Sequence, residues 1–141
     1  MDVVRQLQKL FLSQIAALDE AITEAKSFEE LEERIEGVAR EQIRGLMRLA
    51  VDEMDRRFLK QRDSSWKVLG FRSRTLLCYF GELRLRRRLY EHKETGETRF
   101  FVDEALGLPP KERWSPKLKR IATRFAMSLT YGETAELLGC W

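Results

Sequence analysis

The sequence predicts an α+β protein: an N-terminal helical hairpin with one long helix, a three-stranded antiparallel meander, and a C-terminal helix that begins a truncated helix-turn-helix. Apolar residues recur every three or four positions up to about residue 62, the pattern then alternates with period two, and a Ser-Pro helix start follows near residue 115. We divide the 141 residues into residues 1–63, a helical arm; residues 64–107, a basic β-meander; and residues 108–141, a linker with the C-terminal helices.

The first helix is predicted from the spacing of its apolar residues, and Asp2 is placed to cap its start. Its apolar stripe consists of Val4, Leu7, Phe11, Ile15, Leu18 and Ile22. An antiparallel pair with the second helix would bury this stripe within one chain. A coiled-coil or helix-swapped dimer is the alternative.

The second helix is predicted over about residues 28–62, with Ser27 as N-cap and Glu30 as its capping-box partner. At 1.5 Å per residue it is roughly 50 Å long, longer than a globule of this size is wide. Part of it therefore packs outside its own domain, as self-association would allow. Gly37 and Gly45 are weak helix formers, so a bend near one of them is the competing possibility.

Strand-forming residues replace the helical pattern after Asp63. Residues 74–80 predict a first strand, Gly81-Glu82 a turn, and residues 83–90 a second strand with strict alternation. A second turn includes Gly96, and residues 98–102 predict a third strand. The result is an antiparallel meander.

The C-terminal third begins with a Leu-Pro-Pro linker at residues 108–110. Ser115 as N-cap and Pro116 at the first helical position predict a helix whose exposed face carries Lys117, Lys119, Arg120 and Arg124. A short helix over residues 133–138 resembles the opening of a helix-turn-helix, and the sequence ends before a recognition helix is built.

Positive charge is concentrated in the middle of the chain. Residues 64–99 contain nine basic and four acidic residues, a net charge of +5, whereas residues 1–63 contain 11 basic and 14 acidic residues, a net charge of −3. This asymmetry predicts a localised contact with a polyanion.

The second strand supplies the candidate contact residues. Alternation places Arg84, Arg86 and Arg88 on one side, with Leu83, Leu85 and Leu89 on the other and Arg87 among them. A turn at Gly81-Glu82 sets Tyr79, Leu77 and Thr75 opposite the three arginines. The predicted DNA-binding residues are Lys67, Arg72, Arg74, Arg84, Arg86 and Arg88. The alternative is a solvated face whose arginines pair with nearby glutamates or with the acidic arm.

Residues suited to catalysis are sparse. His92 is the single histidine and has no nucleophile beside it, and Cys78 and Cys140 lack the spacing of a zinc site or a disulfide framework. Asp103-Glu104 could hold a metal, but these residues fit the end of the third strand better. We expect no catalytic residue, no cofactor and no metal. Without a membrane-spanning segment, a cytoplasmic protein is expected.

An ordered set of short motifs runs through residues 66–138. The motifs are Arg72-Ser73-Arg74-Thr75, Phe80-Gly81-Glu82-Leu83, the arginine strand ending Leu89-Tyr90, Lys93-Glu94-Thr95-Gly96-Glu97, residues 103–108, Ser115-Pro116, and Tyr131 with Ala135, Glu136, Leu137 and Leu138. This set resembles the N-terminal part of bacterial transposases of the insertion-sequence Lre type, also catalogued as uncharacterised protein family 0236. The resemblance implies a DNA-end-binding or assembly module preceding a metal-dependent catalytic core that is absent from this chain.

Two functional hypotheses follow. The first is a noncatalytic DNA-binding and oligomerisation fragment of a transposase-like protein, whose partners are double-stranded DNA at transposon ends and further copies of itself through the first two helices. The second is a protein-interaction or scaffold module that pairs through the long helix without binding nucleic acid.

Overall fold

A computed structural model describes residues 3–128 and, in addition, residues 132, 133, 136 and 139. The elements in chain order are α1 (Val3–Glu24), α2 (Phe28–Gln61), β1 (Trp66–Cys78), β2 (Gly81–His92), β3 (Thr98–Arg99), α3 (Phe101–Ala105) and α4 (Pro116–Ser128). The three strands form one antiparallel sheet in the order β1-β2-β3. The predicted α+β class is confirmed.

Helices α1 and α2 form an antiparallel hairpin joined by residues 25–27. The Ser27 hydroxyl accepts a hydrogen bond from the Glu30 N–H at 3.1 Å, which confirms the predicted N-cap. Helix α2 continues as one element through both of its glycines. A Cβ at Gly45 would lie 2.6 Å from Leu10 Cδ1. Gly45 therefore allows α1 to approach α2 closely.

Contact with α2 leaves most of the apolar stripe of α1 exposed. Five of its residues are exposed, namely Val4, Phe11, Ile15, Leu18 and Ile22. Burial against α2 instead involves Ala21 and, in part, Leu10 and Leu7. Within residues 3–128, no helix combines the length and the apolar character that a membrane crossing requires.

The β1–β2 turn consists of Tyr79 and Phe80, and not of Gly81-Glu82 as the sequence predicts. Cys78 pairs with Gly81, so the strands are longer than predicted and the register differs. Arg40 donates to the Tyr79 carbonyl at 3.2 Å and Arg44 to the Phe80 carbonyl at 2.6 Å. These contacts from α2 satisfy both turn carbonyls.

Strand β3 ends at Arg99, and residues predicted to continue it form the short helix α3 instead. The Phe101 ring stacks on the fully buried Tyr90 at 4.2 Å and meets Trp66 edge-on at 5.4 Å. Val102 belongs to the hydrophobic core. The core also contains Val51 of α2 and four residues of the strands, Leu76, Cys78, Leu83 and Leu85. Burial of the successive side chains of Val102 and Asp103 favours a helical turn, since a strand would direct them to opposite faces.

The segment after α3 packs along the outer edge of β1. The Leu77 N–H donates to the Arg113 carbonyl at 2.7 Å, and the Ser115 N–H donates to the Leu77 carbonyl at 2.9 Å. The Ser115 hydroxyl then accepts from the Leu118 N–H at 3.2 Å, which confirms the predicted start of α4. The second helix of the predicted helix-turn-helix falls mainly on residues outside the described part of the chain.

Candidate nucleic-acid interface

The register of the sheet places three arginines of β2 on one face. Arg84 pairs with Thr75, Arg86 with Ser73 and Arg88 with Phe71, and directly paired residues share a face of an antiparallel sheet. Neighbouring positions on that face are about 6.8 Å apart along the strand. The sequence predicts that Tyr79, Leu77 and Thr75 lie opposite Arg84, Arg86 and Arg88, respectively. These pairings are wrong, because the turn lies two residues earlier than predicted.

The three arginines differ in their partners. Arg84 and Arg86 are exposed and form no ion pair with any residue in the described part of the chain. Arg88 is held by Asp55 of α2: the Asp55 carboxylate accepts from both the backbone N–H and the guanidinium of Arg88, at 3.0 Å and 2.5 Å. Arg84 and Arg86 are therefore the side chains of this strand that remain available to an anion.

An aromatic ring supports the arginine face. The Arg86 guanidinium lies 3.8 Å from the centroid of the Phe71 ring, and that of Arg88 lies 4.5 Å from it. Such contacts stabilise a cation without neutralising its charge. Phe71 thus takes the place that the sequence analysis gave to Tyr79.

A cleft of about 280 Å³ separates this face from α2. From α2 it is lined by Arg48, Asp52, Asp55 and Arg56, in addition to the β2 arginines. Five arginines thus face two aspartates. The spacing of the α2 residues predicts that they share one side of a helix, but nothing in the sequence places that side against the sheet.

The surroundings of Asp52 in the cleft disfavour its ionisation. Desolvation raises the pKa of Asp52 above its ordinary value, and repulsion from Asp55 raises it further. Arg86, Arg56 and Arg48 act in the opposite direction without cancelling these effects. When ionised, Asp52 competes with any external anion for the same arginines.

Arg74 lies on the opposite face of the sheet, where the sequence analysis did not expect an ion-pair network. It pairs with Leu85, and its guanidinium contacts Asp103 at 3.2 Å. Arg87 binds the same carboxylate in two places, at 3.0 Å and 2.9 Å. All three side chains are at most 10% exposed. Arg74 is therefore unavailable for phosphate in this arrangement.

The two other predicted contact residues are separate from the cleft. Lys67 forms an ion pair with Glu91 at 2.9 Å, beyond an irregularity in the β1–β2 pairing between Val68 and Gly70. Arg72 is exposed but pairs with Arg87, on the leucine-bearing face. The structure thus unites Arg84, Arg86 and Arg88 and leaves Lys67, Arg72 and Arg74 elsewhere.

The acidic and thiol groups have local structural partners. The Asp103 carboxylate joins Arg74 and Arg87, and Glu104 binds Arg99 at 2.8 Å. Burial raises the pKa of the Cys78 thiol, which keeps it protonated. No group of three or more His, Cys, Asp or Glu side chains in the described residues has the arrangement of a metal site.

When the chain is compared with known proteins, the part that matches includes the helical hairpin as well as the sheet. The match to a protein family extends over residues 3–140, which is wider than the motifs of residues 66–138. No curated protein and no solved structure matches the chain. The family match includes the arginine face, the cleft and the hairpin alike, and on that basis the chain belongs to the uncharacterised protein family UPF0236.

Proposed function

We propose that this chain is a noncatalytic DNA-binding module that contacts the phosphate backbone of double-stranded DNA through the arginine face of β2. The observation that carries the proposal is the pair of exposed arginines, Arg84 and Arg86, which are adjacent on one face and form no ion pair with an acidic residue in the described part of the chain. A cationic side chain without an internal partner can release counterions from DNA when it binds phosphate.

The surroundings of the pair support an anionic ligand. Arg48 and Arg56 line the same cleft, and the Arg86 guanidinium rests on the Phe71 ring at 3.8 Å. The resemblance of residues 66–138 to Lre-type transposases supports DNA as that ligand, and transposon ends as its source. In the proposed role the chain positions DNA for chemistry performed elsewhere in a transposase-like protein.

Contacts of this kind recognise phosphate and carry no base sequence. We therefore expect binding with little sequence preference and a strong dependence on salt. The logarithm of the association constant should fall linearly with the logarithm of salt concentration, with a slope of about −0.9 per phosphate neutralised.

The test is fluorescence anisotropy with a labelled duplex over a range of salt concentrations. The Arg84→Ala/Arg86→Ala variant should weaken binding equally for unrelated duplexes and reduce the salt slope by about 1.8, because two phosphate contacts are lost. Lys60→Ala is the matched control, since Lys60 is an exposed cation near the end of α2 outside the cleft. Absence of binding at low salt, or equal effects of the two variants, contradicts the proposal.

Self-association through α1 and α2 is the second part of the proposed function, and the exposed apolar stripe of α1 favours it. Apolar side chains in a contiguous exposed patch usually mark an interaction surface. If the chain forms a dimer and does not bind DNA, the scaffold hypothesis replaces the first one. Sedimentation velocity together with the anisotropy measurement separates the two.

A further inference from the structure

One side of the α1–α2 hairpin is apolar along its whole length and faces away from the sheet. On α2, exposed Leu46 lies five residues before Val51, which is buried against the sheet, so the two side chains are about 140° apart around the helix. Shallow grooves between the helices follow one another along this side, from Ile22 beside Leu31 to Ile15 beside Ile35. The grooves continue towards the start of α1, where Leu7 lies beside Leu46 and Leu49.

The size of this apolar side matches a protein interface. Helix α1 has 22 residues, which at 1.5 Å per residue gives a length of roughly 33 Å. Two helices side by side, each about 10 Å wide, make a face of roughly 660 Å². A standard interface buries about 800 Å² on each partner, and the largest apolar patch of a typical monomer is smaller than that.

Charge is distributed unequally along the hairpin. The tip, residues 19–36, contains eight acidic and two basic residues, a net charge of −6. The base, residues 3–9 with residues 44–61, contains seven basic and three acidic residues, a net charge of +4. Within the described chain, the acidic residues of the tip that form no ion pair are Asp19, Glu20, Glu29, Glu32 and Glu33. The hairpin therefore carries unneutralised negative charge at its tip and a net positive charge at its base, where Arg44, Arg48, Arg56 and Arg57 also form ion pairs within α2.

Charged residues also border the apolar side itself. Glu32 and Arg57 are 25 residues apart on α2, which is about seven turns, so they flank the same side of the helix. The Arg57 side chain is 71% exposed and also contacts Glu53 of its own helix at 3.3 Å. On α1, Arg5 adjoins Val4 near the base and Asp19 adjoins Leu18 near the tip.

We propose that a second copy of this chain covers the apolar side in an antiparallel, two-fold arrangement, with the acidic tip of each hairpin on the basic base of the other. A parallel arrangement would place the two tips, each with a net charge of −6, against each other. The antiparallel arrangement makes a four-helix bundle in which Glu32 of one copy faces Arg57 of the next. This inference rests on the self-association proposed above and adds its orientation.

Charge reversal tests the orientation by sedimentation velocity over a range of protein concentrations at low salt. Glu32→Lys should raise the dimer dissociation constant by about tenfold, because the two-fold axis repeats each lost pair and replaces it with repulsion. Adding Arg57→Glu should restore the dissociation constant to within about threefold of the original. Glu33→Lys is the matched control, since the neighbouring residue carries the same charge about 100° further around α2. In a parallel dimer Glu32→Lys would instead strengthen association, which would overturn the orientation.

Disulfide cross-linking provides a second measurement that does not depend on charge. The Glu32–Arg57 pairing puts the two-fold axis halfway between these residues, beside Gly45, where α1 contributes Leu10. In a Cys140→Ser background that retains buried Cys78, the Phe11→Cys variant should therefore cross-link with itself, because Phe11 is exposed and lies next to Leu10. The Leu18→Cys variant should cross-link only when mixed with the Val4→Cys variant. Self-linking of Leu18→Cys as readily as Phe11→Cys overturns the orientation and leaves self-association standing. A chain that is monomeric at every concentration overturns both.

Discussion

Replacement of the Asp103 carboxylate is the most severe test of whether the buried ion pairs of this fold contribute to its stability. This carboxylate accepts hydrogen bonds from Nε and Nη2 of Arg87 and from Nη1 of Arg74. The side chains of Asp103, Arg87 and Arg74 are 10%, 7% and 9% exposed, respectively. Asp103→Asn removes the only negative charge of this group and turns an amide N–H₂ toward guanidinium donors. Breaking a buried ion pair by removing one partner costs about 3–5 kcal/mol, because the remaining charge stays buried.

The expected loss lies near the lower end of that range. Arg74 keeps hydrogen bonds to the carbonyls of Pro109 and Glu112, at 2.5 Å and 2.8 Å, and Arg87 keeps one to the Arg72 carbonyl at 3.0 Å. We therefore expect Asp103→Asn to lower the free energy of unfolding by about 3 kcal/mol. Urea denaturation followed by far-UV circular dichroism measures this value from the midpoint and slope.

Two comparison variants make the result decisive. Glu104→Gln removes a carboxylate from the adjacent position, but its partner Arg99 is 41% exposed, so the expected loss is below about 1 kcal/mol. The triple variant Arg74→Met/Arg87→Met/Asp103→Leu should be more stable than Asp103→Asn, because it leaves no buried charge unpaired. If Asp103→Asn costs no more than Glu104→Gln, the reasoning about this buried group is refuted.

Two further predictions concern α2. Gly37→Ala should stabilise the protein by about 1 kcal/mol, because a Cβ there has open space. Gly45→Ala should gain less, because its Cβ would lie 2.6 Å from Leu10 Cδ1 and the end of the Leu10 side chain must shift. Equal urea midpoints for the two variants would contradict the packing role of Gly45. The pKa of Asp52 is raised in the folded protein. Its contribution to stability is therefore greatest below its pKa in the unfolded chain and is lost as the pH rises through its pKa in the folded protein. Protonation of Asp52 also removes a negative charge from the cleft. DNA affinity should therefore increase as the pH falls through the pKa of Asp52 in the folded protein. The Asp52→Asn variant should bind DNA more tightly at pH 7 and show a weaker pH dependence. Anisotropy titrations that give the same pH profile for the variant and the unmodified protein would exclude competition by Asp52.

Local patterns accounted for the elements whose cause is local. Ser27 and Glu30 specify the start of α2 through a bond between residues three apart, and Ser115 specifies α4 in the same way. The alternation of β2 likewise placed Arg84, Arg86 and Arg88 on one face, because side chains alternate in any strand. This result does not depend on where the turn lies.

The assignment of Arg72 and Arg74 shows where the sequence reasoning was incomplete. A two-residue turn pairs even-numbered positions of β1 with odd-numbered positions of β2, so these arginines belong on the leucine-bearing face with Arg87. That conclusion was available from the predicted hairpin alone. The identity of their partner was not, since Asp103 is 29 residues away from Arg74 in sequence. It lies in α3, a helix that the burial of Val102 and Asp103 favours.

The sequence by itself determined the order and type of the main elements, the helix caps and the concentration of positive charge in the middle of the chain. The tertiary structure alone decided which arginines are neutralised and which are not. Arg88 and Arg74 are paired with aspartates that α2 and α3 bring to them, whereas Arg84 and Arg86 line a cleft in which they form no ion pair with any residue of the described chain. Pairing depends on distances of a few ångströms between residues remote in sequence, and only packing of the helices against the sheet sets those distances.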